Sequence, residues 1–239
     1  MYKGPKVKNL TALAGFVGLA FAQRTADFTT PQPMPPNSVL IIGFLGGFEQ
    51  WNDEHRSVRR IAGELRERQI PGVFVETFGN HRRRAAMKLL YDALDTNGDG
   101  RLDAAECVSA RVVLYGQSWG GGAVIQTARA LERWGVPVLL TVQVDSVGLR
   151  DSRIPANVRA AANFYQHDPF TIRGRSEIHA VDPTRTRILG NYRFKFMFQR
   201  VHPSASWARR WLGGSHAKME LDPEVWRQVE QLMIEAISR

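Results

Sequence analysis

Cysteine is almost absent from the sequence: Cys107 is the only one in 239 residues. No internal disulfide can therefore staple the fold, and a hydrophobic core must hold it. Cys107 itself is expected to act as a small buried hydrophobe. Long apolar runs are also scarce. The one continuous stretch, "LTALAGFVGLAFA" at 10–22, falls short of the roughly 20 residues that a membrane-spanning helix needs. Acidic residues are outnumbered, 23 against 32 basic ones, for a formal charge of +9. Apart from "HRRR" at 81–84 and "ARRW" at 208–211 the basic residues are scattered, and neither cluster is interleaved with aromatics. No nucleic-acid partner is expected. A solvated basic face is, with attraction to anionic surfaces as the alternative.

What is present begins with a leader. Lys3, Lys6 and Lys8 precede the apolar run without any acid, and Ala20 and Ala22 supply small residues at its end. That layout predicts a secretory signal peptide over 1–22, cleaved after Ala22, and so a secreted or periplasmic protein. Its removal would lower the charge to about +6. An uncleaved membrane anchor is the alternative. Residues 23–37 include "TTPQPMPPN" and read as a proline-rich tether. The folded domain is expected over 38–239, with no internal repeat.

Within that domain short apolar runs alternate with helical patterns. Strands are expected at "SVLIIGF", "GVFVETF", "RVVLYG" and "VPVLLTVQV", the last being the longest buried one. "RAAANFYQ" and "TRILGNYRFKFMF" read as weaker strands. Helices are expected over "EHRSVRRIAGELRERQ", "RRAAMKLLYDAL", "GAVIQTARALERW" and "PEVWRQVEQLMIEAI". Apolar runs without polar alternation mean strands covered on both faces. The prediction is an α/β fold with a mostly parallel, doubly wound sheet. In such a sheet, functional residues gather just beyond the C-terminal ends of the strands.

One strand ends in a conspicuous turn. After "VVLY" comes Gly116-Gln117-Ser118-Trp119-Gly120, a G-x-S-x-G pattern. A serine displayed on a sharp strand-to-helix turn needs neighbours without side chains, and the following helix N-terminus favours a developing oxyanion. A hydroxyl is a weak nucleophile, so it needs a base, and the base needs an orienting acid. With the order serine, acid, histidine, His55 and His81 are disfavoured. His216, in the glycine-rich stretch before the last helix, is the expected base; His202 and His179 are weaker candidates. For the acid, Asp145 ends an unmistakable strand and is preferred, while Asp168 ends the next one. The oxyanion donors are expected to be the Trp119 N–H and one from "IIGFLGGFEQW", either Phe44 or, as runner-up, Leu45.

Gly43-Phe44, the Gly116–Gly120 elbow, Asp145 and His216 together resemble the α/β-hydrolase superfamily in its small lipase/esterase-like forms, over residues 38–239. The resemblance implies acylation of the serine by an ester, thioester or amide, then release of the acid by water. Two features depart from many relatives: Ile42 stands where a histidine is common, and a tryptophan follows the nucleophile. Little chain separates the Asp145 strand from the next, which leaves little room for the helical lid of larger lipases. Phe48, Trp51 and Trp119 are candidate contacts for the acyl side of a substrate, or simply core.

A second motif precedes the nucleophile strand. "DTNGDGRLDAAE" at 95–106 fits the calcium loop of an EF-hand. Asp95, Asn97 and Asp99 occupy positions 1, 3 and 5, Gly100 makes the turn, and Arg101 offers its carbonyl. Asp103 would act through water and Glu106 as a bidentate ligand. The loop feeds the far end of the strand that carries Ser118, roughly 17–20 Å away. The expected calcium is thus structural and not catalytic. Three functions follow as alternatives: a secreted serine hydrolase of carboxylic esters, a thioesterase or acyltransferase with the same triad, and a catalytically inactive calcium-binding scaffold.

Overall fold

The computed structural model describes residue 23 and residues 27–168, 172–196 and 214–238. The expected leader and His202 lie outside them. Chain order begins with β1 (Val39–Leu45), α1 (Ser57–Glu67) and β2 (Val73–Gly79), followed by a 3-10 turn at Asn80–Arg82. Next come α2 (Arg83–Leu94), α3 (Ala104–Ser109), β3 (Arg111–Gln117), α4 (Trp119–Arg133) and β4 (Val138–Val144). The remainder is β5 (Arg153–Ile154), β6 (Val158–Gln166), β7 (His179–Ala180), β8 (Arg187–Phe194), α5 (Gly214–Leu221) and α6 (Pro223–Ile237).

Six strands form one sheet in the order β2-β1-β3-β4-β6-β8, and every pairing is parallel. Strands β5 and β7 pair separately. This is the expected α/β class, and β1 shows why. Its Leu40, Ile42 and Phe44 enter one core with Leu89, Leu90, Val124 and Ile125 of α2 and α4. The alternate residues Val39, Ile41 and Leu45 enter a second core with Ile61 and Leu65 of α1 and Trp226 and Met233 of α6. A strand side chain points to alternate faces, so an unbroken apolar run must be covered on both. Each fully buried large apolar side chain contributes about 1.5–3 kcal/mol.

Helix ends follow local rules. In α1 the buried Val58, Ile61, Ala62 and Leu65 recur at helical spacing. Asp222 caps α6 by accepting from Glu224 N at 2.8 Å, with Pro223 in the first turn. Two expectations need correction. Strand β4 covers seven buried residues, the same as β1, where nine were expected; β6 is longer, with nine residues, but is not buried throughout. Val136 does not join β4 because its N–H donates to Leu131 O at 3.0 Å, closing α4. Helix α4 also starts three residues earlier than its apolar pattern suggests, at Trp119.

The proline-rich stretch is not free along its length. Phe28 packs on Phe78 with ring centroids 5.5 Å apart. The fully buried Glu76 accepts from Thr29 N (2.7 Å) and Thr30 N (2.9 Å) and pairs with Arg66 at 2.9 Å. Met34 is buried, and its N–H donates to Ala93 O. Cys107 is buried as expected, and burial pushes its thiol pKa up. No helix among the described residues is long and apolar enough to cross a membrane.

Because the six strands run the same way, the C-terminal ends of β1, β3, β4 and β6 open on one edge of the sheet. Ser118, Asp145 and Asp168 all lie there.

Candidate active site

Ser118 is the hinge between β3 and α4, at φ 55° and ψ −124°. A non-glycine residue held at positive φ is strained and persists only where its surroundings impose it. Here the imposition is steric. A Cβ on Gly116 would lie 2.6 Å from Gly120 O, and one on Gly120 would collide with the Phe44 carbonyl. Both glycines are therefore forced by the close approach of α4 to the sheet, and the serine is driven above the strand end.

His216 lies near the start of α5 and bridges two partners. Its Nε2 is 2.9 Å from Ser118 Oγ and its Nδ1 is 2.6 Å from Asp145 Oδ2. Asp145 is fully buried, at φ 43°, directly after β4. It also accepts from Gln166 Nε2 at 3.0 Å and from Gly174 N at 2.8 Å. An ionised carboxylate only accepts, so Nδ1 carries the imidazole proton and Nε2 is left to accept from the Ser118 hydroxyl. Gln117 Nε2 approaches the same His216 nitrogen at 3.4 Å, a poorer contact.

The other residues expected here fall in different places. Asp168 accepts from Ser215 Oγ at 2.5 Å and from Phe196 N at 3.0 Å; the imidazole bonds to Asp145. His179 lies in β7, exposed, 3.7 Å from Glu177. Phe44 pairs in register with Phe78 on one side and Gly116 on the other, inside the sheet. Leu45 ends the strand, paired with Gly79. The residue of this loop that lies against the nucleophile is Gly46, where a Cβ would sit 3.0 Å from Ser118 Cβ. Asn80 braces the turn by donating from Nδ2 to Leu45 O (3.2 Å) and to Gly47 O. On the other side, Trp119 opens α4, where a first-turn N–H has no intrahelical acceptor.

Trp119 and Phe48 meet edge to face with centroids 5.6 Å apart, and they are 47% and 88% exposed. Trp51 packs instead under Arg59 at 5.4 Å. Trp119 also borders a cavity of about 330 Å³ with Asn80, Arg83, Val147 and Leu149.

The acidic loop joins α2 to β3 through α3. Its side chains turn largely to its own backbone. Asp95 Oδ2 accepts from Gly100 N (2.9 Å), Asn97 Oδ1 from Asp99 N (2.9 Å) and Asp99 Oδ1 from Arg101 N (2.8 Å). Asp103 and Glu106 form a capping box on α3, with each accepting from the other's N–H. Glu106 Oε1 also accepts from Thr96 N, Thr96 Oγ1 and Asn97 N. The Asp103 N–H leads these donors in holding the Glu106 carboxyl below the usual carboxylate range. Asp95 Oδ1 is buried without a hydrogen-bond partner. Among the described residues no three His, Cys, Asp or Glu side chains are gathered as a metal cluster.

No protein-family model matches the sequence, and no curated protein sequence matches it. Solved structures are similar in part. A cutinase-like protein from Cryptococcus sp. has a TM-score of 0.44 at 12% identity, covering 87% of this chain and 98% of that one. The RedJ thioesterase of the prodiginine pathway in Streptomyces coelicolor has a TM-score of 0.42 at 14% identity, covering 94% and 97%. An acetyl xylan esterase has a TM-score of 0.39 at 10% identity, covering 85% and 99%. Likenesses this distant carry no argument about chemistry, which has to come from the site itself.

Proposed function

We propose that this chain is a serine hydrolase that cleaves carboxylic esters through an acyl-enzyme. The observation that carries the reading is the continuous bonded path Ser118 Oγ–His216–Asp145, at 2.9 and 2.6 Å. Ser118 Oγ attacks the ester carbonyl as His216 Nε2 takes its proton. Asp145 holds the Nδ1 proton and stabilises the imidazolium. The oxyanion faces the N–H groups of Trp119 and the Gly46 turn. His216 then protonates the leaving alcohol, and the acyl group stays on Ser118. Water, deprotonated by His216, attacks the acyl carbonyl; the imidazolium returns that proton to Ser118 Oγ as the acyl bond breaks, and the acid is released. The exposed Phe48–Trp119 pair is offered as the apolar contact for the substrate.

The test is hydrolysis of a short and a long p-nitrophenyl ester and of a matched thioester, with covalent labelling by a fluorophosphonate. Ester turnover with Ser118 labelled is the expected result. Preference for the thioester, or transfer to an added alcohol faster than hydrolysis, would favour the thioesterase or acyltransferase instead. An unlabelled Ser118 in folded protein would leave the scaffold reading.

We also infer a structural calcium ion held by Asp95, Asn97, Asp99, the Arg101 carbonyl, Asp103 through water, and Glu106. The twelve-residue pattern and the unpartnered Asp95 Oδ1 support it. Glu106 opposes it in part, since its Oε1 already accepts three hydrogen bonds and would have to exchange them. Calcium at about 100 times Kd should add about 2.7 kcal/mol to stability, seen as a Tm above that in chelator. An unchanged Tm would remove the ion from the account. Export through the leader at 1–22 is part of the same proposal, and N-terminal sequencing of the mature protein checks it.

A further inference from the structure

His216 must meet two partners at once, and a general base displaced by about 1 Å can cost about 100-fold in rate. What aims it is therefore part of the chemistry. The far end of α5 is anchored firmly. Glu220 pairs with Arg56 at 3.1 Å, and its carbonyl accepts from Ser57 Oγ (2.5 Å) and Trp226 Nε1 (2.7 Å). At the near end, beside His216, the anchor is Ser215, which donates from Oγ to the buried Asp168 at 2.5 Å. With one cysteine in the chain, no internal disulfide can do this work.

Asp168 is itself fixed from two sides. Its Oδ2 accepts from Phe196 N at 3.0 Å, and its N–H donates to Gln166 Oε1 at 2.9 Å. The same Gln166 donates from Nε2 to Asp145 Oδ2 at 3.0 Å and to Ile172 O at 2.6 Å. The contacts close a ring: Asp145 to His216, along the chain to Ser215, across to Asp168, to Gln166, and back to Asp145. The carboxylate that holds the imidazole and the carboxylate that holds its helix are thus referenced to one amide.

We propose that Asp168 is a positioning residue: through Ser215 it sets the first turn of α5 so that the imidazole of His216 spans Ser118 and Asp145. Gln166 keeps this anchor in register with Asp145. The proposal rests on the serine-hydrolase reading above, and its test separates the two.

The experiment uses the full chain with Ser215→Ala, Ser215→Thr and Asp168→Asn. Each is assayed for kcat and KM on a soluble p-nitrophenyl ester, for Tm, and for the downfield ¹H NMR signal of the His216 Nδ1 proton. Wild-type labelling by a fluorophosphonate comes first; if Ser118 in folded wild type is not labelled, the hydrolase reading fails and the clamp fails with it. Given labelling, Ser215→Ala and Asp168→Asn should lower kcat about 10- to 100-fold with KM within about twofold, and broaden or shift the Nδ1 proton signal. Ser215→Thr retains the hydroxyl and should restore both. Wild-type kcat and an unmoved proton signal in Ser215→Ala would overturn the proposal. A folded Ser215→Thr as slow as the alanine variant would do the same. If Asp168→Asn does not fold, the two Ser215 variants decide.

Discussion

The carbonyl oxygen of Phe44 occupies the space that a Cβ on Gly120 would need. Helix α4 can therefore lie against β1 only while position 120 carries no side chain, and the geometry of Ser118 depends on that approach. Gly120→Ala should cost about 1–3 kcal/mol or more through overpacking and should abolish labelling of Ser118 even where folded protein is recovered. Thermal melts and fluorophosphonate labelling check it; wild-type labelling would show that the elbow tolerates the shift.

Two of the three bonded side chains, Ser118 and Asp145, should respond unequally in rate. Ser118→Ala should lower kcat by about 10⁶-fold and Asp145→Asn by about 10⁴-fold, the latter by favouring the wrong tautomer of His216. A Ser118→Ala protein with more than a hundredth of wild-type turnover would place the nucleophile elsewhere.

Glu76 ties the segment before β1 to the sheet. It is fully buried, its Oε1 accepts from Thr29 and Thr30, and its Oε2 meets Arg66. Glu76→Ala leaves those donors without their acceptor and should cost about 3–5 kcal/mol. Urea denaturation measures the loss, and limited proteolysis should show cleavage near Thr29 at lower protease concentration. Unchanged stability would mean that water satisfies the freed donors.

One surface carboxylate gives a signed pH dependence. Hydrogen bonds from Arg227, then Gln228, hold the Glu224 pKa down, from 4.5 to about 2. A depressed carboxyl stabilises the fold above its unfolded pKa and loses that contribution as pH falls through the folded one. The Tm difference between wild type and Glu224→Gln should be greatest above pH 4.5 and vanish towards pH 2. A difference that grew on acidification would contradict the assignment. The size should be small, because the pair lies in solvent.

Much of the fold was legible before any coordinates. Arg83–Leu94 and Pro223–Ile237 form helices with the boundaries that their apolar spacing predicts, because amphipathic period and caps are local properties. The runs "SVLIIGF", "RVVLYG" and "VPVLLTVQV" likewise announce the strands found at 39–45, 111–117 and 138–144, to within two residues. Harder to read was the start of α4. Gly120, Gly121 and Gly122 have poor helix propensity, yet they lie in the helix, and the backbone and side chains packed on them leave no room for a Cβ.

At the site, sequence alone determined which chemical groups were at hand: a serine in a glycine-flanked turn after a buried strand, acids at two strand ends, and a histidine before the last helix. Those features are local, so short stretches carry them. Which acid meets which partner was decided only by tertiary structure. Asp145 and Asp168 both end strands on the same sheet edge, and the choice rests on where α5 lies relative to β4 and β6. That placement sends His216 to Asp145 and Ser215 to Asp168. The place of Gly46 beside Ser118 and the link through Gln166 are of the same kind. Each depends on contacts between segments far apart in the chain, and no spacing within one segment encodes them.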